Sequence, residues 1–230
     1  MRATVRALST LSPGLVLAPE RYLAAEAGAA GGTELGSFVV ERGERAPVEA
    51  LDGAIVLDTT HAKDGLVDVG AALRTAGSRP KSAKKLARAG DLLVSRLRPY
   101  LRQIALVTPE LVAVLGGRAI ACSPEFYVLR AAAPGASLAW LVPLLLADDA
   151  QAALAGAQEG GHHPRVPRDS LLGLRVATLT PRARTALDAE VLDASRAVYA
   201  AASQWARALD VTAPAPPAQG ARRTRDRSRR

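Results

Sequence analysis

Residues 84–107 run KKLARAGDLLVSRLRPYLRQIALV. They hold a turn signal at Gly90-Asp91, an apolar run through Leu92, Leu93, Val94 and Leu97, and a second run at Ile104, Ala105, Leu106 and Val107. Short apolar runs bounded by turn residues predict buried strands. Between the runs stand Arg96, Arg98, Tyr100 and Arg102. Alternate side chains of an extended segment share a face, so these four line one side. Pro99 interrupts that segment, which predicts a strand running into a loop. A row of guanidiniums beside an aromatic ring suits phosphates and base edges. It equally serves as a solvated cationic edge that discourages strand aggregation.

Working outward, the upstream residues carry short strand-like runs. Leu35 to Val40 ends at Arg42-Gly43. Ala54 to Leu57 precedes the polar turn Asp58-Thr59-Thr60-His61, and Leu66 to Val69 is placed to pair with it across Lys63-Asp64-Gly65. Residues 74–88 are polar and cationic, which predicts a loop passing into one helical turn. Downstream, Gly116-Gly117 marks a tight turn, and Ala119 to Cys122 and Phe126 to Leu129 are strand-like around Ser123-Pro124-Glu125. Ser137 is the expected N-cap of a helix over Leu138 to Gln158, kinked at Pro143 and stopped at Gly160-Gly161. Leu174 to Leu179 is a further strand. Thr180-Pro181 then opens a last helix to about Asp210, with Thr as N-cap and Pro in the first position.

Along that helix Leu187, Val191, Ala194, Val198, Ala201, Trp205 and Ala208 recur at steps of four and three. The spacing fits a coiled-coil seam for a partner or a second copy, with Leu187, Val191, Val198 and Trp205 as its larger residues. It also fits an amphipathic helix lying on its own domain. Strands and helices do not alternate, which predicts an α+β fold rather than a doubly wound sheet. The expected organisation is a small mixed, irregular β-sheet domain with flanking helices over residues 1–180. A long helix follows over 181–210, then a disordered basic tail over 211–230.

The net charge of +8 is unevenly placed. Residues 74–102 hold nine Lys or Arg against Asp91, and residues 211–230 hold six Arg against Asp226. The rest is mildly acidic. Localised positive charge is the footprint of a polyanion partner. One cysteine, Cys122, excludes an internal disulfide and any Cys-rich metal site, and fits the reducing cytoplasm. It is expected to be a small buried residue rather than a nucleophile. There is no continuous apolar stretch at the start to suggest a signal peptide, and the run Leu138 to Ala147 is too short for a membrane span.

Several chemistries lack their motifs. No Gly-Lys pair exists for a phosphate loop, and no Gly-x-Gly-x-x-Gly for a dinucleotide. No Asp-x-Lys or Glu-x-Lys supplies a nuclease core, no Asn-Pro-Pro-Tyr holds a flipped adenine, and no Gly-x-Ser-x-Gly elbow occurs. His162, His163 and His61 have no carboxylate or Cys nearby to complete a metal site. A turn carrying His162, His163 and Arg165 toward phosphates or base edges fits these residues; so does a loop that merely ends a helix. No catalytic residue, metal or cofactor is expected.

Together, segments in order across residues 17–209 resemble the target recognition domain of type I restriction–modification specificity subunits. Leu17-Ala18-Pro19-Glu20-Arg21-Tyr22 is similar to an opening box of such domains. Leu35-Gly36-Ser37 through Arg42-Gly43, Gly90 to Arg96 and Cys122 to Arg130 are similar to three of their strands. Gly160-Gly161 to Arg165-Val166 and Leu174 to Pro181 match the turn and the strand that lead into a spacer helix. The resemblance implies a non-catalytic module that reads double-stranded DNA and docks through its helix to a DNA methyltransferase subunit, with a restriction subunit as a further partner, in phage defence. Full specificity subunits carry two such domains and two helices, so this chain corresponds to a half-subunit. It would pair through the helix, or serve alone as an adaptor or DNA-binding protein of another defence system. Lys81, Lys84, Lys85, Arg88 and Arg102 would then contact phosphates. Arg96, Arg98, Tyr100, His162, His163 and Arg165 would face bases.

Overall fold

A computed structural model describes residues 32–76 and 80–212. The Leu17–Tyr22 box and the tail beyond Thr212 lie outside those residues. Among the described residues the short strands are β1 Thr33–Glu34, β2 Val39–Glu41, β3 Arg45–Ala46, β4 Ile55–Leu57, β5 Ala62–Lys63, β6 Leu66–Val67, β7 Lys84–Ala87, β8 Leu92–Ser95, β9 Ile104–Leu106, β10 Ile120–Cys122, β11 Phe126–Ala131 and β12 Arg175–Val176. Helices are α1 Val69–Leu73, α2 Pro109–Val114, α3 Leu141–Leu146, α4 Asp148–Gly156, α5 Arg168–Leu172 and the long α6 Pro181–Thr212. This is an α+β fold. Among the described residues, no helix is long and apolar enough to cross a membrane.

The central sheet is antiparallel, in the order β2-β11-β8-β9. Both of its faces are covered, which is why its strands are apolar runs rather than alternating ones. On one face Leu92, Val94, Ile104, Leu106, Tyr127 and Leu129 join Leu138 to Leu145, Leu154 and Leu171. On the other, Leu93, Ala105, Phe126 and Val128 meet Ile55, Leu57, Ile120 and Cys122 of the second sheet. That sheet runs β3-β7-β10-β4, with β10 and β4 parallel and the other pairs antiparallel.

The quoted stretch forms its predicted turn and strands. Gly90 has φ +91°, a conformation that a side chain disfavours. Asp91 behind it is fully buried and takes a two-pronged contact from Arg130, Nε to Oδ1 at 2.7 Å and Nη2 to Oδ2 at 2.8 Å. The register of β8 on β11 pairs Leu92 with Leu129 and Ser95 with Phe126. One residue beyond each end of that ladder stands an acid–arginine pair: Asp91 with Arg130, and Arg96 with Glu125.

Several predicted elements differ. Residues 84–87, expected in a loop, form β7, because the Lys85 ammonium is satisfied inside the fold. Leu66-Val67 pairs with Ala62-Lys63 rather than with Ile55–Leu57. Asp64 and Gly65 both have positive φ, the geometry of a two-residue hairpin turn. The helix over 138–158 is two helices, since Ala147 leaves the helical region with ψ 147°. Leu35–Ser37 is a 3-10 turn before β2, and only Arg175-Val176 of the last run is strand.

The long helix starts as predicted, with the Thr180 hydroxyl accepting from Ala183 N at 3.2 Å. It lies on its own domain. Leu187, Val191 and Leu192 pack on the first core, and Tyr199 and Ala202 on the second. The buried Tyr199 hydroxyl accepts from Val67 N at 3.0 Å. The contact face is therefore rotated from the predicted seam. Ser195 and Tyr199 are buried, whereas Val198 is 44% and Trp205 68% exposed.

Candidate nucleic-acid interface

The row of Arg96, Arg98, Tyr100 and Arg102 is not a strand face. β8 ends at Ser95, and Ser95 N bonds to Gln103 O at 2.9 Å, so residues 96–102 close a loop between β8 and β9. Arg98 and Arg102 take positive φ values of 44° and 50°, on either side of a 3-10 turn over Pro99–Leu101. Left-handed conformations cost a non-glycine residue free energy and persist where the surroundings impose them. Here Pro99 fixes the start of the turn, and Arg102 is paired with Asp148 of α4. The tip projects Arg98 and Tyr100, the latter 68% exposed.

A second loop lies beside the first. Glu159 and Arg165 exchange backbone hydrogen bonds of 2.8 Å each, closing a hairpin whose tip carries His162 and His163. The two exposed rings rest against each other, centroids 4.6 Å apart and tilted by 59°, rather than diverging. Arg165 forms a β-bridge with Leu97, and Val166 N bonds to Arg96 O at 2.8 Å. The fold thus brings together two candidate groups separated by some sixty residues in sequence.

The sites are not equally available. Lys85 is 6% exposed, and its ammonium donates to Phe126 O at 2.7 Å and to Glu41 at 3.2 Å. It is an internal cation, and the phosphate contact expected of it is not open in this structure. Lys84 is half-buried and reaches Ser82. Lys81 and Arg88 are exposed, Arg88 within 3.5 Å of Glu44. Arg96 lies 3.7 Å from Glu125 and 5.6 Å from the centre of the Tyr127 ring. Arg165 grips Glu125 through Nε at 3.0 Å and Nη2 at 2.8 Å. Those hydrogen bonds hold the Glu125 carboxyl below the usual carboxylate range, with the charges of Arg165 and Arg96 helping and burial opposing.

Sequence reasoning missed the supporting residues. Glu41 joins Lys85 to Arg168, whose Nε lies 2.9 Å from its carboxylate. Tyr127 donates its hydroxyl to Val166 O at 2.7 Å and lies under both Arg96 and Lys85. Around that ring four cations, Lys85, Arg96, Arg165 and Arg168, face two carboxylates, Glu41 and Glu125. With Asp169, 3.4 Å from Arg168, the four cations outnumber the carboxylates by one. Arg168 could have been found from its place three residues after Arg165. Among the described residues, no group of His, Cys, Asp and Glu is placed to hold a metal. Burial pushes the Cys122 thiol up to about 12.

No protein-family model matches the sequence, and no curated protein matches it. Solved structures do. The chain is similar to a chain of a type I R-M system, solved in work on its complex assembly and conformational transition. The TM-score is 0.51 at 22% identity, over 81% of this chain and 50% of that one. It is also similar to the HsdS subunit from Thermoanaerobacter tengcongensis, with a TM-score of 0.48 at 21% identity, over 78% of this chain and 45% of that one. The chain spans about half the length of these structures. The first similarity shows a fold shared with a type I R-M protein.

Proposed function

We propose that this chain recognises double-stranded DNA by sequence, supplies no chemistry itself, and is carried by its long helix to a DNA methyltransferase partner. Residues up to 180 form the DNA-reading unit, 181–210 the spacer, and the basic tail adds sequence-independent attraction. The observation that carries this reading is the pairing of the 96–102 turn with the 159–165 hairpin on a doubly covered sheet. Arg98, Tyr100, His162 and His163 stand exposed at the two tips, and no ion pair engages Arg98 among the described residues. The fold shared with a type I R-M protein supports it. Short tips presented by rigid elements suit base edges, while Lys81 and Arg88 suit phosphates.

The test is a gel shift with duplexes selected from a random library. Arg98→Ala with Tyr100→Ala should cost roughly tenfold or more against the selected duplex, since one good base contact is worth about 1–3 kcal/mol. Lys81→Ala should weaken all duplexes alike and flatten the salt dependence by about one phosphate.

A second reading has its own support. Arg96, Arg102 and Arg165 are engaged by carboxylates, while Val198 and Trp205 are exposed on the helix. That pattern favours a protein–protein adaptor. Affinity that is equal for all duplexes and vanishes without residues 211–230 would favour it.

A further inference from the structure

Glu125 stands where three segments meet. It precedes β11, its backbone carbonyl accepts from Arg96 N at 2.9 Å, and its carboxylate faces arginines of both tip-bearing loops. Arg165 commits its guanidinium to intramolecular contacts, although the side chain is 37% exposed. Nε and Nη2 lie on Glu125, and Nη1 donates to His163 O at 3.0 Å. An arginine so engaged is a brace rather than a reader, because a bidentate fork leaves no matching edge for a base. Arg96 is left with its Nε buried and without a hydrogen-bond partner. It is held by its backbone, by the Tyr127 ring and by the charge of Glu125.

We infer that Glu125 is the positioning residue of the proposed interface: on top of the backbone bridge, its carboxylate fixes the offset of the 159–165 tip against the 96–102 tip, and so determines sequence discrimination rather than overall affinity. This rests on the DNA-recognition reading above. Two loops that read one site must keep a fixed offset, since base contacts fail over about an ångström while phosphate contacts by flexible cations do not. Without the carboxylate, the side-chain link between the loops is lost. The Leu97–Arg165 bridge, the Val166–Arg96 backbone bond and the Tyr127–Val166 bond remain, so the fold survives and the loop bases stay joined, while the tips beyond them lose their shared side-chain anchor.

The experiment compares the dissociation constant for a selected duplex with that for a scrambled one of equal length. It uses the full chain as wild type, Glu125→Ala, Glu125→Gln, and Glu125→Ala combined with Leu97→Cys and Arg165→Cys. Leu97 and Arg165 are antiparallel bridge partners, a spacing that a disulfide can close. Cys122 is buried and does not compete. The ratio should fall at least tenfold in Glu125→Ala, through weaker binding of the selected duplex and with no weakening of scrambled-duplex binding. The oxidised cross-link should restore it, and reduction should abolish it again. Should Glu125→Ala fail to fold, Glu125→Gln keeps the shape without the charge and carries the same comparison, its cross-linked form included. An unchanged ratio overturns the inference and leaves DNA recognition standing. A fall that the cross-link does not repair shows that Glu125 acts by charge, and also overturns it. A wild-type chain with no discrimination removes the DNA-recognition reading itself.

Discussion

Asp91 and Glu125 occupy equivalent places in one ladder and face different fates. Each is followed by four strand residues and then an arginine: Asp91 to Arg96, and Glu125 to Arg130. Laid antiparallel, the two segments match acid to arginine at both ends. The Asp91–Arg130 end is buried and also satisfies Arg88 N at 2.8 Å. Removing one member of a buried pair leaves an uncompensated charge, so Asp91→Ala should cost about 3–5 kcal/mol in urea unfolding. Asp91→Ala with Arg130→Met should cost less than the sum of the two single changes. The Glu125 end is partly exposed and shared with Arg165, which suits positioning rather than stability.

At the scale of elements, the long helix is held by one face and leaves another open. Tyr199→Phe removes the acceptor for a buried Val67 N–H and should cost roughly 1–3 kcal/mol. Val198→Lys with Trp205→Lys touches only exposed side chains and should leave stability within about 0.5 kcal/mol. If that face seats a methyltransferase or a second copy of the chain, the same pair should abolish co-elution or concentration-dependent light scattering. The heptad count made Val198 and Trp205 legible as a stripe. It could not tell which face the domain would claim. Leu192, Ser195, Tyr199 and Ala202 repeat at the same helical interval, and the choice between the two sets depends on the β5–β6 hairpin and α2 arriving beside the helix.

Over the whole molecule, two carboxylates make stability depend on acid pH. Glu110 is held below the usual range by its own backbone amide, with help from Arg196, and Glu125 by hydrogen bonds from Arg165. A depressed folded pKa means that the unfolded chain binds more protons as the pH falls. The stabilisation is therefore full above the unfolded value of about 4.3 and is lost as pH drops through the folded values. The urea midpoint of the wild type should fall more steeply below that pH than that of Glu125→Gln. What the residues settle locally could be seen in the sequence: apolar runs that must be buried, a glycine turn, a threonine cap and cations gathered in one stretch. These are short-range consequences of side-chain chemistry. Tertiary structure alone decided that Lys85 would turn inward, that Arg98 and Arg102 would bend left-handed around Pro99, and that the 159–165 hairpin would seat against Arg96 and Leu97. Each of those outcomes depends on a carbonyl, carboxylate or strand edge contributed from a distant part of the chain, and no local pattern encodes where such a partner will stand.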